Sequence, residues 1–152
     1  MEELRKIANN VINLTESKVL DIVYLYAKTQ NFATDLNTED QLLKRGVGVD
    51  GSELTPGYTF LTEYIKSQLS GPGGIIDHVT LYDTGSFHLG WTFRREGESI
   101  ILEAPPKFED GEDVREELRI KYGEFEGLTD ENITKLAEFI LPLFIEETLK
   151  LI

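Results

Sequence analysis

The sequence predicts an α+β fold, a small antiparallel sheet of about three to four strands packed with N-terminal helices and one long C-terminal helix. Apolar residues recur at helical spacing near both ends of the chain, while the middle is rich in β-branched and aromatic residues punctuated by turn formers. The length, 152 residues, suits one core. The expected unit spans 1–152, with a helical extension over 1–37 and a core over 38–152.

Leu4, Ile7, Val11 and Leu14 mark a first helix. Val19, Leu20, Val23, Tyr24 and Ala27 mark a second over 16–28, with Thr15 as its cap; the alternative is one helix broken near Asn13. Residues 31–37 read as a connection. Thr38-Glu39-Asp40 reads as a helix start, with the hydroxyl capping and two carboxylates at the positive end of the dipole. Gly46 closes that helix in the left-handed conformation. Asp50-Gly51 and Pro56-Gly57 are turn signals. A helix is expected over 58–69, with Phe60, Leu61, Tyr64, Ile65 and Leu69 as its apolar face. The glycine-rich run 70–74 reads as an exposed loop tip or an arm.

Strands are expected over 75–82, 87–94 and 99–104, joined as a meander through turns at 83–86 and 96–98. In the second, Phe87, Leu89, Trp91 and Phe93 alternate. A short helix over 113–122 carries Val114, Leu118 and Tyr122, and Gly123 ends it. Thr129 caps the last helix, whose first turn holds two acids and whose interior holds Pro142, a kink signal. Eight apolar residues over about five turns exceed what a one-sided surface helix needs. That face is therefore either a central core helix or partly a contact with a neighbouring subunit.

The charge balance, 28 acidic against 15 basic residues for a net −13, disfavours nucleic-acid binding. The absence of cysteine excludes disulfides, thiolate nucleophiles and cysteine metal sites. No apolar run is long enough to span a bilayer, and the first residues lack a secretory h-region. His78 and His88 are the only histidines, and their spacing fits no metal ligand set. Strand parity turns His88 away from Phe87 and Leu89, half-exposed. No serine sits in a nucleophile elbow, and no glycine run has the lysine of a phosphate loop. No catalytic, cofactor or metal site is expected.

Asp83-Thr84-Gly85-Ser86 has the form of the aspartic-peptidase tetrapeptide, in which two aspartates share a proton. One copy per chain requires a homodimer, and the downstream apolar-apolar-glycine element of such enzymes is missing. The plainer reading is a structural turn of Asp83, Thr84 and Gly85, with Asp83 bonding nearby amides and Gly85 at positive φ.

The ordered motifs resemble a family of tailed-phage virion morphogenesis and tail-completion proteins, including the neck proteins that join head to tail. The residues that carry the resemblance are Arg45-Gly46 through Asp50-Gly51, Lys66, the run from Asp83 to Trp91, and Gly127-Leu128-Thr129-Asp130-Glu131-Asn132. It covers the chain from about residue 40 to the end. Members often have a serine where Gly90 stands, and basic residues near the Thr-Gly pair. The resemblance implies a non-enzymatic virion subunit, without cofactor, forming a homo-oligomeric ring of roughly six or twelve copies around the DNA channel. Portal or connector and tail-tube proteins are the implied neighbours, and the acidic surface is a wall that DNA passes without binding. Phe139, Phe144 and Ile145 on the last helix, with Gly73 and Gly74, are the interface candidates. A homodimeric aspartic peptidase using Asp83 and a monomeric adaptor module are the alternatives.

Overall fold

The computed structural model describes residues 24–109 and 111–150, together with 2, 5, 20 and 21. The expected helices over 4–14 and 16–28 lie largely outside them. The fold is α+β. Helix α1 (Ala27–Asp35) begins after Tyr26, whose backbone is extended. It runs on into a ten-residue π-helical segment, Leu36–Arg45. Residues 31–37 are thus helical rather than a connection. Thr38 lies inside the helix rather than capping it, and its hydroxyl donates to the Thr34 carbonyl at 2.9 Å. Asparagine and threonine are weak helix formers, but tertiary contacts decide here: Ala33, Leu36, Asn37 and Thr38 are all buried. Gly46 ends the segment as expected, at φ 61°. A Cβ there would stand 2.6 Å from the His78 ring and 2.9 Å from the Val79 carbonyl oxygen.

The π-helical segment is bound to the loop before the last helix by buried amides. Asn37 and Gln41 both donate to the Gly127 carbonyl, Gln41 at 3.0 Å, and Asn37 also to the Phe125 carbonyl at 2.9 Å. The Gln41 side-chain oxygen accepts from the Thr129 amide at 2.8 Å and from Asn132 at 3.0 Å. Around the rim, Asp40 pairs with Arg45 and Lys135, and Glu131 with the same two cations. Partial burial works against the Asp40 charge, but the Asn132 amide and the two cations hold its pKa below the usual value.

Helix α2 (Phe60–Ser67) follows, then a 3₁₀ turn at Gly71–Gly74. Residues 75–82 form no strand. They have no neighbouring strand, and side chains supply the bonds that a ladder would make. The Tyr58 hydroxyl accepts from the Thr80 amide at 2.9 Å, the Thr80 hydroxyl from the Tyr82 amide at 3.1 Å, and Lys66 donates to the Tyr82 carbonyl at 2.9 Å. The expected strand over 87–94 is also revised. Its first half is a single helical turn, α3 (Ser86–Leu89), and only its end belongs to β1 (Thr92–Glu96). Phe87 on this turn and Trp91 two residues past its end are four residues apart, and both enter the core while Leu89 is left 89% exposed.

Strand β1 pairs antiparallel with β2 (Ser99–Glu103) in the register Glu96↔Ser99, Thr92↔Glu103. Gly97 opens the two-residue turn at φ 60°, the pattern of a type II′ hairpin. Strands β3 (Phe108–Glu109) and β4 (Glu112–Asp113) form a second, separate pair. The strands therefore make two small hairpins, not one meander. Helices α4 (Arg115–Tyr122) and α5 (Asp130–Leu149) stand where the sequence predicts, with Thr129 accepting from the Asn132 amide at 3.2 Å as cap.

The core gathers Leu42, Leu54, Val79, Leu81, Phe87, Trp91, Ala104 and Phe125, with Tyr58, Leu102, Leu118 and Tyr122 packed against it. His88 is buried beside it, not half-exposed, with its ring 5.0 Å from that of Tyr82. Desolvation pushes its pKa from 6.5 down to about 4; Lys107 and Lys66 add to the shift, and the nearby Thr80 backbone opposes it. A folded pKa below the unfolded one means the unfolded chain binds the proton first. The His88 contribution to stability is therefore expected to be lost as pH drops from 6.5 to about 4 and to change no further below. The expected loss is about 3 kcal/mol. Urea unfolding across this window measures it, and His88→Leu should flatten the slope.

A candidate interaction surface

Helix α2 is capped by Thr59, whose hydroxyl accepts from the Thr62 amide at 3.3 Å. Its amphipathic pattern then points the opposite way from a usual surface helix. The one residue it buries is Lys66. The Lys66 ammonium donates to the Tyr82 carbonyl and lies 5.0 Å from the centre of the Tyr58 ring. With Lys66 turned inward, the apolar row faces solvent: Phe60 is 84% exposed, Leu61 66%, Tyr64 60%, Ile65 54% and Leu69 50%. Isolated exposed apolar residues are ordinary, but four on α2 with Leu69 just past its end make a patch of the kind that marks contact surfaces.

A cleft of about 490 Å³ runs along this helix towards α4. Ile65, Leu69, Leu118 and Tyr122 supply its apolar wall, and Lys107 and Lys121 stand on its rim. A neighbouring hollow of about 330 Å³ is lined by Asp83, Ser86, Pro105, Pro106 and Lys107. Asp83 itself is exposed on a bend. Among the described residues no hydrogen bond reaches its carboxylate, contrary to the expectation that it ties down backbone amides. The expected positive φ of Gly85 is present at 89°, and a Cβ there would meet the Tyr82 hydroxyl at 2.6 Å. The bend joins an irregular segment to a helical turn rather than two strands.

The predicted interface residues fall in different places. Phe139 stacks on Phe32 with ring centres 4.3 Å apart, so it serves the packing of α5 on α1. Phe144 is half-buried, whereas Ile145 is exposed in a stripe with Leu141 and Leu149. Gly73 is buried in the 3₁₀ turn, and a Cβ on Gly74 would lie 2.6 Å from the Leu69 carbonyl oxygen, so the segment is a packed turn rather than an open arm. The α2 row was legible as an apolar face, but not as an outward one. The only signal of direction is Lys66, a cation whose burial no spacing rule announces.

The residues behind the phage-family resemblance build the scaffold. Arg45 and Glu131 pair at 3.0 Å, Gly48 lies against the Glu124 carbonyl, Lys66 anchors α2, and Phe87 and Trp91 enter the core. No group of three or more His, Asp or Glu suited to a metal occurs among the described residues. No helix among them is long and apolar enough to cross a membrane. No family model, no curated protein and no solved structure matches this chain.

Proposed function

We propose that the protein is a structural assembly subunit, and that its place is the neck or tail of a tailed-phage virion, in a ring around the DNA channel. The exposed row Phe60, Leu61, Tyr64, Ile65 and Leu69 carries the assembly part of this reading. An apolar surface of this kind is a standing cost in water that a partner removes. The virion part is supported by the motif resemblance and by the net charge of −13, which suits a channel wall facing DNA phosphates. Portal or connector and tail-tube proteins are the neighbours that this placement implies.

Light scattering on a sizing column, with the protein alone and with isolated heads and tails, tests the reading. Higher species, ring-shaped in negative stain, are expected; a strict monomer in every mixture overturns it. The peptidase alternative is separated by one variant. Asp83→Asn is expected to change stability by no more than about 0.5 kcal/mol, as for an exposed side chain without partners, and to leave assembly intact. Proteolysis by the wild type that vanishes in this variant would reverse the assignment.

A further inference from the structure

We draw no further inference here: the strongest candidate, the exposed apolar row along α2 with the cleft of about 490 Å³ between it and α4, carries nothing, because the buried Lys66 is already met by the Tyr82 carbonyl and the Tyr58 ring, Lys107 and Lys121 share the cleft with Asp83 and Glu117, and nothing in the structure shows what covers it.

Discussion

Phe125→Ala is expected to destabilise the protein by about 3 to 5 kcal/mol and to lower its melting temperature by about 10 °C. Phe125 has no exposed surface and fills the centre of the core. Its ring lies 6.3 Å from Phe87 and 6.4 Å from Trp91, so truncation leaves a cavity walled by two large rings, neither free to collapse into it. The backbone adds a constraint, because the Phe125 carbonyl accepts from Asn37 and so holds the loop in place around the void. Trp91 is the only tryptophan, which makes its emission a direct probe of this site in a urea titration. A loss below about 1 kcal/mol would mean that the core repacks and that Phe125 is not its keystone.

Gln41→Ala is expected to cost about as much, roughly 3 to 5 kcal/mol, for a different reason. The side chain is fully buried and serves three partners: the Gly127 carbonyl, the Thr129 amide and the Asn132 amide. Removing it orphans the buried Thr129 amide and takes one bond each from the Gly127 carbonyl and the Asn132 amide, which keep Asn37 and Leu36, on top of the volume lost from a buried site; an orphaned group costs about 1 to 3 kcal/mol. Gln41→Met separates the two contributions, since it nearly keeps the volume and deletes only the hydrogen bonds. Most of the loss should persist in Gln41→Met. Because Thr129 caps α5 and Asn132 also reaches the Leu36 carbonyl, hydrogen exchange should accelerate first in the opening turn of α5. Uniform acceleration would count against this network as the local fastener.

Local chemistry was legible wherever the signal acts within a few residues. The left-handed glycine at Gly46, the hairpin turn at Gly97, the Thr129 cap and helices α4 and α5 all follow from such signals. Pattern failed where one arrangement of residues fits two periods. Phe87, Leu89, Trp91 and Phe93 alternate as a strand does, yet Phe87 and Trp91 alone also fit a helical turn, and the core accepted only that pair. The run 75–82 has strand composition, but a strand needs a neighbour, and Tyr58, Thr80 and Lys66 meet its hydrogen-bonding needs first.

The candidate surface shows the same division. By itself the sequence determined that α2 has an apolar face, that the chain is acidic and without cysteine, and that a helix ends the described fold. Only the tertiary structure decided that Lys66 is the inward residue of α2 and that its apolar row is left in water. A binary pattern defines two faces of a helix and not which one meets the core. That choice fell to the unpaired carbonyl of Tyr82 and the ring of Tyr58, which offered the lysine a buried place that the apolar row was not needed to fill.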